Sequence, residues 1–123
     1  SMIKTYNNLN NVKEYYNNNS NIKLIQGNSY CDDTENNFKN NLNCTELDLL
    51  FIDGDHTLDG VKNDFERYSK YVKKEGYIIF DDYHHPIIKT YCDQLLQKNP
   101  NLKLITKFKS FNSNAIDLLV QKI

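Results

Sequence analysis

The chain of 123 residues has no tryptophan, one arginine (Arg67) and four glycines, none of which precedes Gly27. Its formal net charge is −1, so the basic excess typical of nucleic-acid-binding domains is missing. No apolar run approaches the roughly 20 residues that cross a bilayer, and the polar, Asn-rich N-terminus is unlike a signal peptide. We therefore expect no nucleic-acid partner and no membrane span.

Cysteine is also sparse, and Cys31, Cys44 and Cys92 are widely spaced. The number of cysteines is odd, and their spacing lacks the closely spaced pairs of a zinc site. Both features indicate free thiols in a reducing, cytoplasmic compartment. The length predicts a single domain over residues 1–123. Asn, Lys, Ile and Tyr are abundant, and all four have AT-rich codons, which indicates an AT-rich genome.

Two short apolar runs, residues 47–52 and 77–80, predict strands that are buried on both faces, as in a parallel sheet. Between them, residues 57–73 predict a helix with Thr57 as N-cap and Gly76 at its C-terminal end. Its apolar face is formed by Leu58, Val61, Phe65, Tyr68 and Val72.

The remaining segments complete an α/β pattern. Residues 3–17 predict an N-terminal helix followed by an Asn-rich turn up to residue 21, and residues 22–123 predict the α/β core. Within that core we expect a strand at 22–27, a polar helix at 32–42 capped by Asp32 or Asp33, and a helix at 86–98. Residues 102–108 and 115–123 predict an antiparallel hairpin.

Acidic residues follow both apolar runs, which places them where ligands bind in open α/β sheets. Asp53 ends the first run and Asp81-Asp82 ends the second, so the three carboxylates are expected to converge. Such oxygen ligands suit Mg²⁺ or a similar divalent ion, and His56 is a candidate general base. The alternative is that these side chains only cap helices and turns, or hold the loop. We expect His84 and His85 to face solvent.

The residues that carry a family resemblance are DLLFIDGDH (48–56), Gly60-Val61, Asp64-Phe65 and GYIIFDDY (76–83). Together they resemble the C-terminal half of a class I S-adenosylmethionine-dependent methyltransferase, closest to the O-methyltransferase branch. The resemblance runs from about residue 22 to the end of the chain. It implies a truncated Rossmann-like fold whose mainly parallel sheet ends in an antiparallel hairpin and lacks the first two strands.

The resemblance also implies roles for individual residues. In metal-dependent members, the positions of Asp53, Asp81 and Asp82 hold the divalent ion. The turn Gly27-Asn28-Ser29 matches the turn beside the adenine of S-adenosylmethionine, although the family often has an acidic residue where Asn28 stands. The glycine-rich loop that holds the rest of that cofactor has no counterpart in residues 1–21.

Without the first two strands, strand 22–27 is expected to pair directly with strand 47–52, and one apolar face of the sheet stays uncovered. A homodimer would cover that face.

Three functions stay open at this point. The chain is an inactive methyltransferase remnant, or an enzyme whose N-terminal half is supplied in trans. It is otherwise a non-enzymatic oligomerisation or binding module. The third alternative is a phosphatase of the haloacid dehalogenase type, because DGDHT (53–57) fits that family's Asp-X-Asp-X-Thr motif, with Asp53 as nucleophile and Asp55 as acid.

Overall fold

A computed structural model describes residues 22–42, 46–109 and 113–123. These residues form two compact units, one within 22–42 and one from residue 46 onward. The predicted helix at 3–17 lies outside the described residues. No helix in the described part of the chain is long and apolar enough to cross a membrane.

The first unit contains one helix, α1 (Asp32–Asn41). The predicted polar helix is therefore confirmed, but its cap is not. Cys31 occupies the N-cap position without a side-chain hydrogen bond, while Asp32 and Asp33 lie in the first turn. Carboxylates there interact favourably with the positive end of the helix dipole.

Residues 22–27 were predicted to form a strand, and the structure shows that this prediction is wrong. The segment is not part of a ladder, so the expected pairing of strand 22–27 with strand 47–52 is also wrong. A strand forms only when its backbone groups pair with a neighbour. An apolar run such as Ile22 to Ile25 does not by itself provide that neighbour.

The second unit is a four-stranded sheet with two helices. Its strands are β1 (Leu47–Ile52), β2 (Val72–Phe80), β3 (Leu102–Lys109) and β4 (Ile116–Lys122), in the spatial order β1-β2-β4-β3. β1 and β2 are parallel, whereas β4 is antiparallel to both β2 and β3. Helices α2 (Leu58–Tyr68) and α3 (Pro86–Lys98) follow β1 and β2. The predicted parallel sheet ending in an antiparallel hairpin is confirmed.

One face of this sheet carries the core. The buried side chains of β1, β2 and β4 pack with side chains of both helices, and the largest fully buried ones are Phe80, Ile78, Leu118, Val120 and Cys92. The Phe65 ring lies 5.9 Å from the Phe80 ring and 6.5 Å from the Tyr91 ring, which joins α2, β2 and α3.

Among the described residues, side chains on the opposite face are exposed, so the prediction that both strands are buried on both faces is wrong. Leu49 and Phe51 of β1 are about half exposed, and Tyr77 of β2 is also exposed. Strand side chains alternate between faces, and β1 and β2 therefore each present an apolar stripe away from the core. Sequence hydrophobicity alone does not distinguish a covered apolar face from an open one.

The predicted helix at 57–73 is too long at its C-terminal end. α2 ends at Tyr68, a 3₁₀ turn covers Ser69–Tyr71, and β2 begins at Val72. Leu58, expected on the apolar face, is exposed. Thr57 is confirmed as the cap, because its Oγ1 accepts a hydrogen bond from the Gly60 N–H at 3.0 Å.

Gly76 lies inside β2 rather than at a helix end. Leu47 pairs with Val72 but Leu49 pairs with Tyr77, so β2 bulges between these pairs. A Cβ at Gly76 would lie 2.9 Å from the Lys73 carbonyl oxygen and 3.1 Å from that of Asp48. Glycine is thus required here by the close approach of backbone.

Candidate functional site

The carboxyl ends of β1 and β2 form the candidate site. The two ends are tied together where the Asp81 N–H donates a hydrogen bond to the Ile52 carbonyl oxygen at 3.0 Å. Asp53 follows β1 directly, His56 precedes α2, and Asp81 and Asp82 follow β2. Parallel pairing of the strands therefore brings together residues that are about 28 positions apart in the sequence.

The three carboxylates converge as the sequence predicted, and His56 lies beside them. Asp53, His56, Asp81 and Asp82 each place one potential ligand atom within 4.8 Å of those of the others. His56 Nε2 lies 2.8 Å from Asp82 Oδ2. We call these four residues the acidic cluster. Asp53 and His56 are exposed and the other two are partly buried, so the acidic cluster is open to solvent on one side.

Asp82 has a left-handed backbone conformation, with φ of 55°. This region costs most residues about 1 kcal/mol or more, although aspartate tolerates it better than most. The Asp82 N–H donates to Asp117 Oδ1 at 3.3 Å, and the turn closes where the His85 N–H donates to the Asp82 carbonyl oxygen at 2.8 Å. The strained turn points the Asp82 carboxylate toward His56.

Asp117 is the residue that sequence reasoning missed. It lies on β4, is almost fully buried, and hydrogen-bonds both the backbone of Asp82 and the side chain of Asp81. The available signal was a lone aspartate within the apolar run IDLLV (116–120). Charged residues are rarely buried unless they are paired, so such an aspartate indicates a polar partner.

The electrostatics of the acidic cluster favour a retained proton. Burial, followed by hydrogen bonds to Asp117 and Asp53 and repulsion from Asp53 and Asp82, raises the pKa of Asp81 to about 8. Carboxylates that share a site cannot all ionise at low cost. At neutral pH the cluster therefore carries at least one proton that a bound cation would displace.

The two later histidines differ in environment. His84 is exposed, as expected, and its Nδ1 accepts a hydrogen bond from the Ile116 N–H at 3.1 Å. His85 is only partly exposed, which corrects the prediction of a solvent-facing side chain: its Nδ1 is buried without a hydrogen-bond partner. The His85 ring lies 5.4 Å from the His56 ring, so it borders the acidic cluster.

Asp55, the proposed acid of the phosphatase alternative, is not a member of the acidic cluster. Its Oδ1 accepts a hydrogen bond from the Thr57 N–H at 3.2 Å, a local contact that shapes the entry to α2. The geometry therefore gives Asp55 a turn-forming role.

Gly27, Asn28 and Ser29, the predicted cofactor-binding turn, lie in the first unit. Asn28 Oδ1 accepts a hydrogen bond from the Tyr30 N–H at 3.0 Å, and its carbonyl oxygen accepts one from the Cys31 N–H. A Cβ at Gly27 would collide with the Thr34 side chain. These contacts form a tight turn at the start of α1.

Comparison with known proteins decides the family. A family model described as a methyltransferase domain matches residues 4–83, about two thirds of the chain. The chain belongs to this methyltransferase domain family. The match contains all four residues of the acidic cluster and the turn at 27–29, whereas Asp117 lies beyond it.

Two similar proteins accompany that match. An uncharacterised protein of Acanthamoeba polyphaga mimivirus is 65% identical over 37 residues, which are 30% of this chain and 17% of that protein. The structure of an O-methyltransferase from Bacillus cereus in complex with SAH matches with a TM-score of 0.50 and 16% identity, covering 73% of this chain and 46% of that one. The match with this chain thus covers less than half of the length of either protein, and the structural likeness shows the fold alone.

Proposed function

We propose that this domain contributes the acidic, divalent-metal-binding part of an S-adenosylmethionine-dependent methyltransferase site of the O-directed type. The observation that carries the proposal is the convergence of Asp53, His56, Asp81 and Asp82 at the ends of two adjacent parallel strands. Family membership supports methyl transfer as the reaction class, and the likeness to an O-methyltransferase supports a hydroxyl acceptor.

The donor set fits a hard divalent cation. Three carboxylates, those of Asp53, Asp81 and Asp82, supply oxygen ligands, a set that accommodates Mg²⁺ or Mn²⁺. The raised pKa of Asp81 supports the same proposal, because burial and, to a smaller extent, the neighbouring carboxylates disfavour its charged form until a cation neutralises it. When bound, the ion would polarise a substrate hydroxyl and lower its pKa.

The chain's own residues then have distinct roles. Asp53, Asp81 and Asp82 hold the cation, and Asp117 orients Asp81 and Asp82 from beneath. Asp82 Oδ2 accepts a hydrogen bond from His56 Nε2, which fixes the ring and leaves Nδ1 to accept a proton from the substrate hydroxyl. The alternative role of His56 is to hold the loop through Asp82.

The part of the proposal that concerns cofactor binding rests on fewer residues. The turn Gly27-Asn28-Ser29 is proposed to lie beside the adenine, as the resemblance implies, but the 123 residues contain no glycine-rich loop. Such loops and helix N-termini supply the anchoring contacts for nucleotide-like ligands. We therefore propose that these 123 residues by themselves bind S-adenosylmethionine weakly, and that methyl transfer also requires a glycine-rich segment.

Manganese titration tests the metal site. We expect bound Mn²⁺ to be detected by electron paramagnetic resonance at millimolar or lower concentration, and Asp53→Asn and Asp82→Asn to abolish that signal. Asp48→Asn is a matched control, because Asp48 is an exposed acid at the start of β1 that pairs with Lys73 outside the acidic cluster. Equal binding by all variants would refute the proposed site.

Calorimetry tests the cofactor proposal separately. We expect no heat of binding from S-adenosylmethionine at micromolar concentrations, because the few available contacts do not offset the entropy lost on association. Micromolar affinity would show that the chain builds a complete cofactor site and acts alone.

A second candidate function, an oligomerisation module, is favoured by the open sheet face. Leu49, Phe51 and Tyr77 expose an apolar surface that the described residues leave uncovered. Contiguous apolar surface of this kind commonly marks a protein interface. We propose a homodimer formed through this face.

A further inference from the structure

The side chain of Tyr83 does not belong to the acidic cluster, yet it follows Asp82 directly in the sequence. It is almost fully buried, although it lies in the turn between β2 and α3. Its hydroxyl donates a hydrogen bond to Asp93 Oδ1 at 2.5 Å. Asp93 is on α3, so this bond ties the turn to the helix that follows it.

Two lysines enclose the Tyr83 ring. Lys89 Nζ of α3 lies 5.2 Å from the ring centroid, and Lys107 Nζ of β3 lies 4.8 Å from it. Both distances are within the range of cation–π attraction. Lys89 Nζ also donates to Asp93 Oδ2 at 2.7 Å, so the tyrosine, the aspartate and Lys89 form one connected group.

The contacts among Tyr83, Asp93 and Lys89 restrict the backbone of the turn that carries Asp81 and Asp82. The left-handed conformation of Asp82 is unfavourable and persists only where neighbouring contacts determine the backbone. Asp117 fixes the Asp82 N–H from one side. The next residue, Tyr83, is fixed from the other side by α3 and β3.

We propose that Tyr83 is a positioning residue, held by Asp93, Lys89 and Lys107, which keeps Asp81 and Asp82 in the arrangement that binds a divalent cation. This inference rests on the proposed metal site and adds to it. The Lys89 and Tyr83 hydrogen bonds also hold the pKa of Asp93 below its ordinary value, so the acceptor for the Tyr83 hydroxyl stays charged.

The test compares Mn²⁺ affinity in tyrosine variants of the intact chain. Tyr83→Phe removes only the hydroxyl and keeps the buried ring. Tyr91→Phe makes the same chemical change on α3 at a ring that packs against Phe65, away from the turn. Groups that orient metal ligands typically alter affinity about 10- to 100-fold. We expect roughly tenfold weaker binding for Tyr83→Phe, at the lower end of that range, and none of that loss for Tyr91→Phe.

Asp93→Leu and the double variant complete the experiment. Because Tyr83 and Asp93 act through one hydrogen bond, Asp93→Leu, which removes the acceptor, should weaken Mn²⁺ binding similarly, whereas Asp93→Asn, whose Oδ1 still accepts, should retain part of it. The double variant should be no weaker than either single one. A loss of stability alone would not give this pattern when all variants are measured well below their melting temperatures.

The outcomes are distinct. Unchanged Mn²⁺ affinity in both Tyr83→Phe and Asp93→Leu would overturn the positioning role and leave the metal site intact. Equal weakening by Tyr91→Phe would likewise overturn it. Absence of Mn²⁺ binding by the unaltered chain would refute the proposed function, and this inference with it.

Discussion

The Asp81 carboxyl is partly buried and hydrogen-bonds two other carboxyl groups, those of Asp117 and Asp53, and burial followed by these bonds raises its pKa. The pKa of Asp81 rises from an ordinary 3.8 to about 8 in the folded chain. Between these values the folded state binds more protons than the unfolded state. The contribution of Asp81 to stability is thus fully present below about pH 4 and is lost as the pH rises through about 8.

We predict a stability profile that follows from this difference. In the absence of divalent cations, the free energy of unfolding in urea should fall between about pH 5 and about pH 8. Asp81→Asn should flatten the fall because it removes the titrating carboxyl. Asp59→Asn, which alters an acid in the first turn of α2, serves as the control and should keep the slope. Identical slopes in all three proteins would contradict the assignment.

The sequence predicted three of these residues for a clear physical reason. Parallel strands end at one edge of a sheet, so the acids after residues 52 and 80 were expected to meet. The same reasoning could not predict that Asp117 lies beside Asp81 and Asp82, because this position depends on the antiparallel register of β4 against β2. That register is set by the packing of two distant segments and has no local sequence signal.

At the scale of elements, α2 and β2 show how tertiary contacts override a local pattern. The apolar spacing from Leu58 to Val72 indicated one continuous helix, yet the chain turns into β2 at Val72. The Val72 side chain is buried in the core from a strand position rather than a helical one. Periodicity identified the buried residue but not the element that carries it.

Gly76 offers a test of the bulge in β2. We predict that Gly76→Ala lowers the free energy of unfolding by about 2–3 kcal/mol, because the added Cβ would press on two backbone carbonyl oxygens that cannot rotate away. Gly54→Ala is the matched control, since a Cβ there would approach only the mobile end of the Asp64 side chain. Urea denaturation would measure both, and equal losses would show that the packing around Gly76 is not limiting.

A lysine from β4 stabilises the 3₁₀ turn that connects α2 to β2. Lys122 Nζ donates to the Val72 carbonyl oxygen at 2.7 Å and to that of Ser69 at 3.3 Å. We predict that Lys122→Met lowers the free energy of unfolding by about 1–2 kcal/mol, since these charge-assisted bonds are partly buried. Lys103→Met, on the exposed surface of β3, should change it by less than about 0.5 kcal/mol. The prediction fails if thermal or urea unfolding does not separate the two variants.

For the molecule as a whole, composition and pattern predicted the α/β class, the parallel pair and the terminal hairpin. They did not predict that residues 22–27 form no strand, because strand formation depends on a neighbouring strand that this apolar run does not itself specify. The apolar pattern also did not distinguish the buried face of the sheet from the exposed one, although the family resemblance led us to expect one uncovered face. Both questions concern what lies beside an element, and hydrophobicity within it carries no such information.

The open face leads to a prediction about assembly. Light scattering at high micromolar concentration should give the mass of a dimer, because association removes the exposed side chains of Leu49 and Phe51 from water. Phe51→Lys should shift the mass to that of a monomer with little loss of stability. Leu58→Lys, at an equally exposed apolar residue on α2, should leave the dimer intact. A monomeric unaltered chain would refute the assembly.

The order of the strands has a consequence for how the chain acquires its structure during synthesis. β4 is the last of the four strands to leave the ribosome, yet it lies in the interior of the sheet between β2 and β3. Before β4 is synthesised, β2 and β3 both lack the strand that they pair with, and each presents an unpaired edge. Such edges pair readily with other chains. Ribosomal stalling or premature termination before residue 116 would therefore yield nascent chains that depend on chaperones to avoid aggregation.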